Sequence, residues 1–306
     1  MKLYKYFSVD AGIAFLKEPA MRLSQNNSLN DPFEVLLTDA DLEKIKEATK
    51  REISSEGKTY TVHREITSFI NMSGILSFSL NKESMPMWGN YASDNKGIMV
   101  EFETDEDNPF SLFDIDMFND DEAYKSKNVN YAYERFFENK INSLREDELN
   151  SLCDHYFFTK HSSWKYEKEY RFIMPYTNCN KVIAFGNNKN REFINKIGYK
   201  GNISEHITDL SKLFNFEIDF EKWTEAWRNY EIYKIMFFIK IKPENNSKIY
   251  FGVNANDAEL KKSIVMGAKF PTGYRGRFYN IVTQEFKNVY KCEIDKNKFK
   301  LTYKKI

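Results

Sequence analysis

The sequence predicts an α+β protein built as a single domain over residues 1–306, and three observations lead there. Short strand-like runs and amphipathic helical patterns are interspersed along the whole chain. Aromatic residues are abundant (Phe 26, Tyr 19) while Gly (12) and Pro (7) are sparse, which favours packed strands over a glycine-rich nucleotide fold. No internal repeat, low-complexity linker or sharp composition break divides the chain, although residues 187–230 read as a polar insertion.

The elements follow in order. Leu3–Phe7 reads as a first strand, and a short helix runs from Asp10, a plausible N-cap, through Ile13 and Leu16 to the stop at Pro19. Met21–Ser24 is extended, and Asn26–Glu34 is dense in turn formers. Residues 39–56 and 61–72 have helical character, and Gly74–Leu80 reads as a buried strand. Met85–Ala92 looks like the first turns of a helix with Pro86 near its start, and Ile98–Phe102 is a strand after the Lys96-Gly97 turn. Between Glu101 and Glu122 lie ten acidic residues and no basic one; without a calcium-loop signature this is read as a solvated loop. Residues 131–160 look helical. Val182–Gly186, Met236–Ile241 and Ile249–Gly252 read as strands, and Asp257–Val265 as a helix. Asn288–Tyr303 holds two further strand-like runs.

The stretch Trp164–Arg171 stands out, with two carboxylates and an arginine set among aromatic side chains before apolar Phe172-Ile173-Met174. Read as a strand, it places Glu167, Glu169 and Arg171 on one face. Such a face is either a solvated edge or one wall of an active site. Trp164, Tyr166 and Tyr170, interleaved with the charges, weaken the first reading.

Composition excludes several classes. Lys plus Arg and Asp plus Glu both count 45, so a globally basic nucleic-acid binder is not indicated. Three scattered cysteines form neither a disulfide framework nor a metal motif. The four histidines lack zinc spacing, so no metal is expected, and P-loop, GxGxxG and GxSxG signatures are missing. The absence of an apolar leader or a long apolar run predicts a soluble cytoplasmic protein with no membrane partner.

The carboxylates remain as chemistry. Glu167 and Glu169 suit a reaction whose transition state carries positive charge, such as an oxocarbenium ion. Asn30-Asp31-Pro32-Phe33-Glu34 is a rigid turn that either shapes the chain or presents Asn30 and Asp31 to a ligand. Trp88 and Tyr91, three apart on a helix, are core residues or a stacking platform, and Ser77-Phe78-Ser79 turns both serines to one strand face.

Taken in order, Leu3–Tyr6, Leu29–Glu34, Ser77–Ser79, Met87–Ala92 with Lys96-Gly97, and Trp164–Arg171 resemble the bacterial family catalogued as domain of unknown function 2971. Ile249–Gly252 and Val289-Tyr290-Lys291 fit its C-terminal end. The resemblance touches most of the chain, more loosely at 39–70, 103–150 and 187–230. That family name implies no activity. More distantly, the sequence is similar to ADP-ribosyltransferases, which carry a polar residue on an early strand, a serine or tyrosine element in the middle and a glutamate on a late strand. Trp88–Tyr91 with Glu169-Tyr170 looks similar to one group, and Ser77-Phe78-Ser79 with Glu167-Lys168-Glu169 to another. The His or Arg usual on the first strand is replaced here by Lys5 or Tyr6.

What the second resemblance implies is a split, mixed or antiparallel sheet and an NAD-dependent transferase, acting as a toxin or phage-defence effector. Glu169 would stabilise the oxocarbenium-like state and Glu167 would orient the acceptor. Lys5, Tyr6, Asn30, Asp31, Ser77, Trp88 and Tyr91 would hold NAD as substrate, and Arg171 would fix the charge pattern of the strand. The acceptor would be RNA, DNA or protein, with an antitoxin protein as a further partner. Two rival readings stay open. One is a non-enzymatic nucleic-acid or protein-binding module using Trp164, Tyr166, Lys168, Tyr170 and Arg171. The other is a magnesium-dependent nuclease using Asp31, Glu34, Glu167 and Glu169.

Overall fold

The computed structural model describes residues 1–17, 19–56, 70, 73–113, 124–139, 141, 146–175, 181–184, 214–215, 249–254, 263–286 and 288–306. The expected helix at 61–72 (Ile70 apart), the strand at 236–241 and nearly all of the 187–230 insertion lie outside them.

The chain forms a mixed α and β structure around an open, mostly antiparallel sheet. Its strands are β1 (Lys2–Phe7), β3 (Ser73–Ser79), β4 (Ile98–Glu103), β5 (Lys125–Asn128), β8 (Glu169–Pro175), β12 (Ser263–Met266), β13 (Val289–Ile294) and β14 (Leu301–Lys305). They lie in the order β14-β13-β12-β4-β1-β3-β8-β5, and β12–β13 is the parallel pair. A second sheet contains β2 (Ala20–Leu23), β9 (Lys181–Ala184), β10 (Phe214–Asn215) and β11 (Ile249–Asn254). β6 (Asn130–Ala132) and β7 (Thr159–His161) form a small parallel pair. The helices are α1 (Val9–Lys17), α2 (Asp39–Glu56), α3 (Met85–Asn90), α4 (Glu146–Phe158) and α5 (Thr272–Glu285).

Pleat alternation divides the main sheet into two unlike faces. Leu76, Phe78, Tyr170 and Phe172 point to one face, where they join Ile13 and Leu16 of α1 and Phe278 and Val282 of α5 in the largest core. Edge-to-face ring pairs such as Phe78–Phe172 at 5.6 Å fill it. Two separate apolar clusters cover the other face. Ile75 and Ile173 pack with Ile45 of α2 and Leu152 and Phe157 of α4, while Tyr4, Tyr6 and Met99 pack with Met87 and Trp88 of α3. Ser77, Ser79, Glu169 and Arg171 belong to this same face, between the two clusters.

β1 and β3 meet through a single registered pair, Tyr4↔Ser79, whereas β3 and β8 stay in register from Ser73↔Pro175 to Ser79↔Glu169. The seam between β1 and β3 is therefore the loosest junction of neighbouring strands in the sheet.

Several expectations change. Ser8, not Asp10, caps α1, its hydroxyl accepting the Ala11 N–H at 3.3 Å. Among the described residues of 131–160 the helix is Glu146–Phe158; Tyr131 pairs with Lys160 in the β6–β7 ladder, and tertiary pairing overrides helical propensity there. Residues 263–265, expected to finish a helix, are strand, as suits the buried β-branched pair Ile264-Val265 between β4 and β13. Trp164–Arg171 is not one strand. Ser162–Glu167 is a 3₁₀ turn, Lys168 adopts left-handed backbone (φ 44°, ψ 57°), and β8 begins at Glu169. Helix α5 is an addition, its sequence giving little apolar periodicity to read.

Candidate functional site

Four backbone constraints hold the Glu167-Lys168-Glu169 corner. The Ser79 hydroxyl donates to Glu167 O at 2.6 Å, and the Leu80 N–H donates to Lys168 O at 2.8 Å. On the other side the Glu169 N–H donates to Tyr131 Oη at 2.8 Å, and the Val129 N–H to Glu169 O at 2.9 Å. The left-handed residue at 168 reverses the local chain direction, so Glu167 and Glu169 send their carboxylates toward one point although only Glu169 is on a strand.

That point is the ammonium of Lys160. It lies 2.7 Å from Glu167 Oε2, 2.9 Å from Glu34 Oε1 and 3.4 Å from Glu169 Oε2, with all four side chains buried. Fully buried Arg171 closes the cluster. Its Nε donates to Glu169 Oε1 at 2.8 Å, Nη2 to Glu34 Oε2 at 3.3 Å and Nη1 to the Phe157 carbonyl at 2.6 Å. Three carboxylates and two cations thus form a nearly balanced network, the condition under which buried charge persists.

The two carboxyls of the corner are pushed apart in acidity. Burial pushes Glu169 up, but Arg171 and Lys160 outweigh it and hold the group down to about 2. Burial also pushes Glu167 up, and there the opposing pull of Lys160 does not compensate, so its pKa stays above the ordinary value. Burial works against the charge on Lys160, yet Glu169, Glu34 and Glu167 together raise its pKa. Glu169 is a fixed negative charge, and Glu167 is the group able to take a proton.

A cavity of about 280 Å³ opens on this network at the β1–β3 seam. Glu34, Lys160, Glu167, Glu169 and Arg171 are among its lining residues. Lys5, Arg22, Ser24, Ser28, Ser77 and Tyr91 also line it. Lys5 Nζ donates to the Ser77 carbonyl at 2.6 Å and lies 5.4 Å from the Phe78 ring centroid. Burial lowers its pKa to about 8, with Glu169 pulling the other way. The Tyr91 hydroxyl donates to Glu167 Oε1 and accepts from Asn30 Nδ2 at 2.7 Å, linking the two.

Of the residues singled out in the sequence, Lys5, Tyr6, Asn30, Ser77, Tyr91, Glu167 and Glu169 therefore share one cavity. Tyr6 does so with its hydroxyl already donated to Asn81 O at 3.0 Å. Two do not join them. Trp88 is fully buried, its ring edge-on to Tyr6 at 5.3 Å, and offers no face to a ligand. Asp31 borders a different cavity. The sequence assigns Lys160 no role, and gives Glu34 a chemical one only in the magnesium reading, although Glu34 ends the Asn30–Glu34 turn. Lysine reads as surface by default, and its one signal was its place just after the apolar run Tyr156-Phe157-Phe158.

The surroundings bear on the rival chemistries. Glu34, Glu167 and Glu169 surround the Lys160 ammonium, which fills the position a divalent cation would take. No group of three or more His, Cys, Asp or Glu suited to a metal occurs among the described residues. Arg171 and Tyr170 are buried, so neither belongs to an open surface for a nucleic-acid strand.

Residues 87–172 match the family described as "Protein of unknown function (DUF2971)". The match takes in α3 from Met87 onward, β4 and the Glu167-Lys168-Glu169 corner, including Tyr91, Lys160 and Arg171. It is narrower than the sequence motifs suggest, since Leu3–Tyr6, Asn30–Glu34, Ser77–Ser79 and the C-terminal strands fall outside it. No curated protein and no solved structure matches the chain. Among the described residues no helix is long and apolar enough to cross a membrane.

Proposed function

We propose that the protein transfers the ADP-ribosyl group of NAD to an acceptor. The observation that carries this reading is the alignment of Lys5, Ser77 and Glu169 on three neighbouring strands, β1, β3 and β8, around one cavity. The order polar residue, Ser-x-Ser strand, Glu-x-Glu turn is the one that the likeness to ADP-ribosyltransferases implies, and Glu167-Lys168-Glu169 is a turn.

The charge layout suits the substrate. NAD carries a cationic nicotinamide ribosyl half and an anionic pyrophosphate. Glu167 and Glu169 favour the first, and Lys5 and Arg22, which line the same cavity, favour the second. At about 280 Å³ the cavity takes the reacting half of the dinucleotide and leaves the rest to the surface. In the reaction the C1′–N bond breaks and its electron pair neutralises the pyridinium nitrogen. The ribosyl carbon becomes oxocarbenium-like, stabilised by the permanently ionised Glu169. The acceptor atom then bonds to C1′ and gives its proton to Glu167, whose raised pKa fits it for that step.

The test is nicotinamide release and label transfer from radiolabelled NAD by purified protein, with RNA, DNA and protein offered as acceptors. Glu169→Gln, which keeps the shape and removes the charge, lowers the rate by about 10²–10³-fold. Full activity in that variant, or no nicotinamide release by the wild-type protein, overturns the proposal. A toxin or phage-defence role follows if expression arrests growth and Glu169→Gln relieves the arrest.

A further inference from the structure

A second cavity, of about 560 Å³, shares Glu34 and Lys160 with the first. Its remaining lining is of a different kind. Phe33, Tyr133 and Phe136 are large rings that the protein leaves 61%, 85% and 40% exposed. Beside them stands Asp31, whose residue is only 4% exposed. Asp31 Oδ1 accepts the Phe33 N–H at 2.9 Å, while Oδ2 is buried with no donor from the protein. A buried carboxylate oxygen without a donor is costly, and it is the kind of group a ligand N–H satisfies.

Exposed aromatic faces around an unsatisfied carboxylate form a site for an organic cation, combining ring-quadrupole attraction with a charge-assisted hydrogen bond. Arg135 already shows how such a group sits on this wall. Its guanidinium lies 5.6 Å from the Phe33 ring centroid and Nη1 donates to the Phe33 and Leu36 carbonyls, each at 3.2 Å. Tyr133, by contrast, makes an edge contact with His161 at 5.8 Å and keeps most of its surface open. We propose that this second cavity binds a protonated amine or guanidinium, with Asp31 as its hydrogen-bond acceptor and Tyr133 as its cation–π face. The inference goes beyond the transferase reading and does not depend on it.

The experiment titrates the full chain, without NAD, with agmatine, putrescine and the tripeptide Gly-Arg-Gly, followed by calorimetry or ligand-observed NMR. Wild-type protein binds at least one probe saturably. Asp31→Asn keeps an oxygen for the Phe33 N–H but removes the charge, and weakens binding by about tenfold. Tyr133→Ala, at an exposed position where folding is not at risk, weakens it by about threefold or more. Tighter binding of the tripeptide assigns the site to a protein side chain, and tighter binding of agmatine or putrescine to a free amine; either supports the proposal. No saturable binding of the three probes, unchanged affinity in both variants, or displacement of the amines by a single-stranded oligonucleotide overturns it.

Discussion

Lys160 and Glu34 meet at 2.9 Å with both side chains buried, one from a three-residue strand and the other from the loop that precedes α2. Because Lys160 also serves Glu167 and Glu169, its removal takes a cation from three buried carboxylates at once and leaves Arg171 as their remaining counter-charge. Lys160→Met is expected to cost about 3–5 kcal/mol of unfolding free energy, measured by urea denaturation. Glu34→Gln should cost less, since Lys160 and Arg171 keep other partners.

Acid stability should depend on the two corner carboxyls in opposite senses. Glu169, held at about 2 against an ordinary 4.5, favours folding above pH 4.5 and loses that contribution as pH falls toward 2. Glu167, whose folded pKa is raised, opposes folding at neutral pH, and that penalty fades in acid. Glu167→Gln is therefore expected to lack the relief that wild type gains as pH falls toward 4.5, and Glu169→Gln to lose less stability than wild type between pH 4.5 and 2. Circular dichroism melts across that range would decide it.

Lys5 gives a prediction for ligand affinity. With a pKa lowered to about 8, it is charged below that pH and neutral above it. If the proposed function holds and the NAD pyrophosphate binds near Lys5, NAD should bind more weakly as pH rises through 8. Lys5→Arg should bind without that dependence, since guanidinium stays ionised. Equal pH profiles for the two proteins would remove Lys5 from the binding site.

Tyr91→Phe deletes the hydroxyl that joins Asn30 to Glu167. The expected stability change is small, about 1 kcal/mol. The hydrogen bond from Tyr91 helps hold the Glu167 carboxyl down, so without it that pKa rises further, and under the proposed function the acid limb of any NAD turnover moves to higher pH.

Trp88→Ala should behave in the opposite way. With its ring fully buried against Tyr6, truncation is expected to cost about 3–5 kcal/mol in thermal or chemical unfolding. The folded fraction at low temperature should retain ligand affinity.

Much of the arrangement was legible where chemistry is local. The Ser77-Phe78-Ser79 alternation correctly gave a strand with both serines on one face, and the apolar runs of β1, β3 and β4 marked their own strands. Glu167 and Glu169 were singled out because aromatic residues surrounded them. Their geometry was not legible, because a left-handed residue at Lys168 is a single-residue event with no glycine to announce it. Lys160 is hidden for another reason: its partner Glu34 is distant in the sequence, and Glu167, seven residues on, meets it only because Ser162–Glu167 forms a 3₁₀ turn. Trp88 and Tyr91 shared a helical spacing, and burial alone separated the packed ring from the one that reaches the cavity.

The alternation along β8 links the interior and the chemistry by parity. Glu169 and Arg171 face the charged network, while Tyr170 and Phe172 fill the largest core. Inserting or deleting one residue between Glu169 and Phe172 would exchange the two sets, driving a guanidinium into hydrocarbon and phenyl rings into the ion cluster. Chain length through this segment is therefore as constrained as residue identity. Natural variation in loop lengths should appear before Glu167 or after Pro175, and not between them.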